Sequence, residues 1–260
     1  ATASAALPAG DGRAGVWLGG LRVDALQEDW TLEDAPRMRH NPRDLADVVS
    51  DEILAFLLSE LKAKGDLYQW YKTRYLPNNI GLSRIDREIA SFVLRRFGAT
   101  RKTLEVGAGV AQCSQLLALS GVHAIGVEAS SAHMDMMKRL TRRLSSSFDP
   151  ELLKRFTPVL GFYPDDVGSH IDEKTIVIVP SLGSTLTAEQ EIKVFDALRP
   201  AAGVILGERM FFRVRDTAEE RTEMISQIQK RGFGNPETIF AWDDWHFGFH
   251  PDRIIYLPKV

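Results

Sequence analysis

Leu45, Val48, Val49, Ile53, Phe56, Leu57 and Leu61 recur at three- and four-residue intervals, which predicts a helix with one apolar face. Asn41 and Pro42 supply a cap and a proline at the first helical position. Gly65 stands where such a helix would stop, about twenty residues on. A second helix follows. Ser83 with Asp86 has the spacing of a capping box, Ile85, Ile89, Phe92, Val93 and Phe97 form its buried stripe, and Gly98 ends it.

From there the pattern changes to short continuous apolar runs separated by helix-length stretches. The runs are Thr103 to Val106, His123 to Glu128, Phe156 to Phe162, Thr175 to Ser181 and Gly203 to Arg209. Thr175-Ile176-Val177-Ile178-Val179 is unbroken and β-branched, as in a parallel strand buried on both faces. The intervening helices are predicted across Ser131 to Leu144, from a Thr187/Gln190 cap to Pro200, and from Asp216 with Glu219 to Gly232. Glu237 to Phe247 and Arg253 to Leu257 read as two strands joined by a turn around Gly248 to Pro251. Alternating β/α units closed by a hairpin predict an α/β fold, a mostly parallel sheet with helices on both faces.

The chemistry gathers at the ends of the strands. The first run closes as Glu105-Val106-Gly107-Ala108-Gly109 and turns directly into a helix. Gly107 and Gly109 remove the Cβ atoms that would keep a ligand from the backbone N–H groups there. A dinucleotide fingerprint would place its third glycine where Gln112 stands, and a carboxylate at Glu105 opposes a pyrophosphate while attracting a cation. The second run ends on Glu128, about twenty residues after the glycines, where nucleotide-binding α/β folds place the acid that meets a ribose. Asp165 and Asp166 follow the third.

These residues resemble motif I and the acid-ended strands of the class I S-adenosylmethionine (AdoMet) dependent methyltransferases, with Ala111 in place of the family's usual last glycine. The resemblance covers about residue 83 to the end. It implies a Rossmann-like seven-stranded sheet with a C-terminal antiparallel hairpin, and AdoMet as cofactor with S-adenosylhomocysteine as product. It further implies a cofactor set of Glu105, Gly107, Ala108, Gly109, Glu128, Ala129, Asp165 or Asp166, Pro180 and Ser181. In the family an acid near Asp165 and Asp166 commonly receives the adenine amino group. Pro180-Ser181-Leu182 does not match the Asn/Asp-Pro-Pro-aromatic sequence of amino-directed members. That departure favours O- or C-methylation of a small molecule over methylation of base amines.

Residues 1–82 are expected to form an arm, the first helix and an aromatic segment, with residues 83–260 as the AdoMet-binding domain. The arm, Ala1 to about Arg39, has Trp17 and Trp30 as isolated anchors. In the aromatic segment Tyr68, Trp70, Tyr71 and Tyr75 interleave with Lys72 and Arg74. Tyr71, Arg74 and Tyr75 are candidates for a lid over cofactor and substrate, against the alternative of a patch gluing the first helix to the core. Glu208, His246 and Tyr71 are the candidates for base or substrate contact. His246 and His250, with Asp243 or Asp244, would suit a metal only if one strand ran through Gly248-Phe249, and a turn is expected there.

Composition narrows the classes. A net charge of -3 and a pI near 6.1 give no basic field for nucleic acid. The basic cluster Lys138-Arg139 with Arg142-Arg143 is read as the solvated face and end of a helix. One cysteine, Cys113, excludes an internal disulfide and is read as a packing residue. No apolar run reaches the ~20 residues needed to cross a bilayer, and the first ten residues lack the regions of a signal peptide, so a cytoplasmic protein is expected. A homodimer is compatible with these features. Three other functions remain open: a nicotinamide dehydrogenase, a methyltransferase-like scaffold without turnover, and transfer of the aminocarboxypropyl group of AdoMet.

Overall fold

A computed structural model describes residues 17–18, 21–22, 42–64, 81–180, 182–183, 186–209, 211–241 and 253–260. Two short strands, β1 (Trp17–Leu18) and β2 (Leu21–Arg22), pair antiparallel. Trp30, the aromatic segment with Tyr71, Arg74 and Tyr75, Ser181, and the His246 and His250 region lie outside the described residues.

The two predicted helices are α1 (Pro42–Lys64) and α2 (Arg84–Phe97). The capping box of α2 forms as its sequence requires. Asp86 donates its backbone N–H to Ser83 Oγ (3.2 Å), and the Asp86 carboxylate accepts the Ser83 N–H (2.8 Å). Then come β3 (Lys102–Val106), α3 (Gln112–Leu119), β4 (Ala124–Glu128), α4 (Ser131–Ser147), α5 (Leu152–Arg155) and β5 (Phe156–Leu160). After a 3-10 turn at Gly168–His170 follow β6 (Thr175–Val179), β7 (Leu182–Gly183), α6 (Ala188–Ala197), β8 (Gly203–Gly207) and β9 (Phe211–Phe212). The chain closes with α7 (Ala218–Gln229), β10 (Glu237–Ala241) and β11 (Arg253–Pro258).

Seven strands form one sheet in the order β10-β11-β8-β6-β3-β4-β5. Strands β3, β4, β5, β6 and β8 are parallel, and β11 runs antiparallel to both β8 and β10. The expected architecture is therefore present, with the closing hairpin shorter in its described part than the sequence pattern suggests. The third strand stops at Leu160 and not at Phe162, because the Phe162 N–H turns away to the Asp166 carboxylate. The last helix is capped one residue later than predicted. Thr217 pairs with Glu220 in the box, while Asp216 is held by Arg209.

Each face of the sheet carries an apolar layer. One packs α1 to α5 against side chains such as Ile176, Ile178 and Ile205. The other packs α6, α7 and the Val167 to Ile171 segment against Leu104, Val106, Val177 and Leu206. Met134, Met137 and Cys113 sit buried in the first, as packing residues should.

Helix α1 is sewn into the first layer by polar contacts as well as apolar ones. Ser50 Oγ accepts the N–H groups of Gly81 and Leu82, both at 3.0 Å, and Gly81 returns its carbonyl to Gln112 Nε2 at 2.6 Å. Arg139 and Arg143 are not the solvated cations expected from sequence. Arg139 forks onto Glu60, Arg143 pairs with the buried Glu52, and both partners lie on α1. No described helix is long and apolar enough to cross a membrane.

Candidate functional site

Strand order reverses beside β3: the chain leaves β3 for β4 and β5 on one side, then returns through β6 on the other. Open α/β sheets bind ligands outside the carboxyl ends of strands at such a point. The turn from β3 to α3 lies there. Gly107 has φ +67° and Gly109 φ +59°, conformations that side chains rarely adopt. A Cβ on Gly107 would stand 2.8 Å from Leu182 Cδ1, so the segment after β6 leans directly over the turn.

Ala111, where the resembling family uses glycine, is also left-handed at φ 58°. Its methyl group occupies space that Gly126 leaves empty, since a Cβ on Gly126 would lie 2.9 Å from that of Ala111 and 3.0 Å from Phe156 Cζ. The two positions are thus coupled across β4. Gly126→Ala should destabilise by about 2 kcal/mol through overpacking. Adding Ala111→Gly should recover part of the loss, with Phe156 retaining the rest. Denaturant unfolding of the single and double variants measures the coupling, and strictly additive effects would contradict the contact.

Glu128 brings the ends of β3, β4 and α4 together. Its Oε2 accepts the Gly109 N–H at 2.8 Å and its Oε1 accepts the Ser130 N–H at 2.8 Å. His133 Nδ1, in the first turn of α4, stands 3.8 Å from Oε1. Burial alone would raise this carboxyl, but contact with His133 and the two backbone donors outweighs it and holds the group below its ordinary range.

Glu105 behaves differently. Its Oε2 is turned into α3, where it accepts both the N–H (3.0 Å) and the hydroxyl (2.6 Å) of Ser114. Burial is the largest influence and pushes its pKa up to about 7, the Ser114 bonds oppose the rise, and the nearby Asp86 and Glu128 charges add to it. Asp86 is buried and raised for the same first reason. Asp86, Glu105 and Glu128 thus lie within electrostatic reach of one another, and a nearby cation would relieve their mutual repulsion.

The Glu105 pKa has a measurable sign. The folded protein holds this proton to higher pH than the unfolded chain, so stability falls as pH rises from about 4.5 through 7. The cost above that window is about 3 kcal/mol at 1.36 kcal/mol per pH unit. Glu105→Gln should therefore reduce the loss of melting temperature between pH 5 and pH 8. An unchanged difference between those two temperatures in the variant would refute the assignment.

The other predicted residues are placed less evenly. Ala108 donates its N–H to the Val127 carbonyl at 2.9 Å, tying the turn to β4, and Ala129 is exposed beside Glu128. Asp165 and Asp166 are both exposed, and Asp166 Oδ2 accepts the Phe162 N–H at 2.8 Å and closes its own turn. Pro180 ends β6 at the same rim. Glu208 reaches the carboxyl end of β8, but its buried carboxylate is clasped by Arg253 Nε (2.8 Å) and Nη2 (2.6 Å), so it is a structural pair and not a free base. Tyr71, Arg74, Tyr75, Ser181 and His246 lie outside the described residues.

Beyond Leu182 the rim continues as β7 paired parallel with β9. Phe212 in β9 has φ 56° and packs its ring against Tyr163 at 5.4 Å and Phe211 at 4.9 Å between centroids. Among the described residues no cluster of three or more His, Cys, Asp or Glu side chains could hold a metal ion.

Five parallel β/α units, a glycine turn under an acid-ended second strand, and an antiparallel closing hairpin decide the architecture. The fold is that of a class I methyltransferase. No family model and no curated protein sequence matches the chain. Among solved structures, it is similar to a TehB-like SAM-dependent methyltransferase from Corynebacterium glutamicum, at 12% identity and TM-score 0.48 over 76% of this chain and 100% of that one. The CcbJ methyltransferase from Streptomyces caelestis matches at 17% identity and TM-score 0.48, over 69% and 91%. A Pyrococcus horikoshii protein described as an RNA methyltransferase matches at 18% identity and TM-score 0.45, over 67% and 83%. At these identities the likeness is one of fold and does not choose an acceptor.

Sequence reading missed several residues that the fold brings to this turn. Ser114 and His133 follow the acid-ended strands in the first turns of their helices, a position that could have drawn attention to them. Leu182 and the Ser50-Gly81-Gln112 link had no such signal, because their partners are distant in the chain.

Proposed function

We propose that the protein is an AdoMet-dependent methyltransferase acting on a small-molecule acceptor. The observation that carries the reading is Glu128 bridging the Gly109 and Ser130 N–H groups at the switch point of the sheet. There a carboxylate with remaining lone pairs meets a turn whose glycines admit a ligand to the backbone. The residues fit AdoMet in charge as well, since Glu128, held below its ordinary range, offers negative potential to a cationic sulfonium compound.

In this reading Glu128 holds the ribose hydroxyls, and Gly107, Ala108 and Gly109 bring the backbone up to the nucleoside. Glu105 ties β3 to α3, because its oxygen is committed to Ser114. AdoMet supplies an electrophilic methyl group. The protein's contribution is to fix the acceptor in line and exclude water, with Leu182 and the β7-β9 rim as the wall nearest the turn. The ion pair to Arg253 removes Glu208 from the base role. The net charge of -3 supports a small acceptor over a nucleic acid.

Calorimetric titration with AdoMet, and separately with S-adenosylhomocysteine, tests the reading. Micromolar binding of both is expected, and absence of both in the folded protein would overturn it. Release of methylthioadenosine instead of S-adenosylhomocysteine during turnover would convert the reaction to aminocarboxypropyl transfer.

A further inference from the structure

A cleft of about 350 Å³ opens between α6 and α7, on the face of the sheet opposite α1, and no residue of the glycine turn lines it. Its floor is apolar. Phe195 and Met224 are buried there, and Phe195 is held in place by stacking on Phe211 at 5.9 Å between centroids.

One wall carries surplus positive charge. Arg215 is buried and locked in position: its Nη1 donates to the carbonyls of Phe211 (2.6 Å) and Arg213 (3.1 Å), and its Nη2 pairs with Glu191 Oε1. That pairing commits Glu191, whose Oε2 stays 3.7 Å from Arg213 Nη1, beyond a good hydrogen bond. Two guanidinium groups thus share one carboxylate. The Arg213 side chain is 45% exposed and lines the cleft, so its fork of N–H donors is open to a further acceptor.

The facing wall, on α7, is acidic. Glu219 and Glu223 stand four residues apart on one helix face, where like charges repel, and both line the cleft. Glu223 is served only by Gln227 Nε2 at 2.5 Å and a distant Lys230 Nζ at 4.0 Å, and among the described residues no cation pairs with Glu219. Glu220 is already spent on its own helix. Its Oε2 accepts the N–H groups of Thr217 (3.1 Å) and Asp216 (3.0 Å). The Thr217 bond foremost, with the Arg213 charge contributing, holds the Glu220 carboxyl below its ordinary range, so Arg213 acts electrostatically on the start of α7.

Unanswered charges of opposite sign therefore line one cleft above an apolar floor. A lone cation would leave Arg213 unserved, and a lone anion would meet the repulsion of Glu219 and Glu223. A ligand with both charges satisfies both walls: its carboxylate takes the Arg213 fork, its ammonium lies against Glu219 and Glu223, and its side chain covers Phe195 and Met224. We propose that the cleft between α6 and α7 binds a free α-amino acid with an apolar side chain. The inference does not depend on the methyltransferase reading, since none of these residues serves the nucleoside.

L-Leucine, isoamylamine and isocaproate share one apolar group and differ in their charges, and calorimetric titration of each into the full chain tests the proposal. Leucine should bind with a submillimolar Kd, and each singly charged analogue at least about tenfold more weakly. Arg213→Gln should weaken leucine to the level of isoamylamine and leave isoamylamine unchanged. Glu219→Gln should weaken leucine while strengthening isocaproate, because it removes a repelling charge. Both side chains are exposed, so the melting temperature without ligand should stay within a few degrees in either variant. No leucine binding by the folded protein up to about 10 mM would overturn the proposal. Isocaproate binding as tightly as leucine would also overturn it, leaving an anion site at Arg213, as would leucine affinity that survives both substitutions. Absence of S-adenosylhomocysteine binding counts against the methyltransferase reading alone.

Discussion

Gly81→Ala is expected to be the most damaging single methyl group that can be added to the described part of this protein. A Cβ there would lie 1.9 Å from the Ser50 carbonyl oxygen and 2.6 Å from the Leu54 nitrogen, and both atoms belong to the backbone of α1. A side chain can rotate away, but a helix backbone must move as a body. That movement would pull Ser50 Oγ from the Gly81 and Leu82 N–H groups and the Gly81 carbonyl from Gln112. Overpacking alone costs 1–3 kcal/mol, and the loss of buried hydrogen bonds adds to it, so about 4 kcal/mol is the expected total. In a chain of this size that corresponds to a fall of roughly 10 °C in melting temperature. A shift below about 2 °C in a thermal scan would show that α1 is not seated against Gly81 as described.

Because Gln112 opens α3, directly after the glycine turn, the same substitution should also weaken S-adenosylhomocysteine binding. This separates it from a defect confined to the N-terminal part of the chain.

Glu128→Ala should weaken nucleoside binding by about 100-fold or more, on top of a cost in stability. Two charge-assisted bonds, to Gly109 and Ser130, hold the turn and α4 in register, and the ribose would depend on the same oxygens. Hydrogen bonds to charged groups contribute about 1.5–3 kcal/mol each, so losing the ligand's share predicts a weakening of about 100-fold or more. Glu128→Gln should sit between, since an amide can accept from Gly109 but presents N–H to the Ser130 donor. Calorimetry of the three proteins with S-adenosylhomocysteine decides it. Undiminished affinity in Glu128→Ala would remove the residue on which the functional reading rests.

What the sequence made legible follows from the range of each signal. The capping boxes at Ser83 and Thr187 depend on residues three apart, and both formed where expected. The buried run of β6 and the acid-ended β3 and β4 announce themselves within five or six residues. Asp216 with Glu219 was misread as a cap because Thr217 with Glu220 offers the same spacing one residue on, and only the position of Arg209 distinguishes them. The two-residue strands β7 and β9 are too short for any periodicity to register.

Charges were the hardest to read, since a helix face shows that a cation exists but not what it meets. Arg139 and Arg143 looked solvated and instead fasten α1, about eighty to ninety residues earlier in the chain. Glu208 looked poised at the rim, and its partner Arg253 lies on the last strand. Gln112 looked like a defect in a glycine pattern, yet its amide reaches the Gly81 carbonyl.

The β7-β9 pairing has a consequence for how this protein can change. The wall of the site facing the glycine turn is joined through main-chain bonds between Leu182–Gly183 and Phe211–Phe212, after β6 and β8 have each broken off. Main-chain bonds survive most exchanges of side chain. Neighbouring positions that carry no part of this pairing can therefore accumulate substitutions while the wall keeps its place. Under the proposed methyltransferase reading, preference for an acceptor would drift by mutation there without the fold being renegotiated, which is how one scaffold comes to serve many substrates.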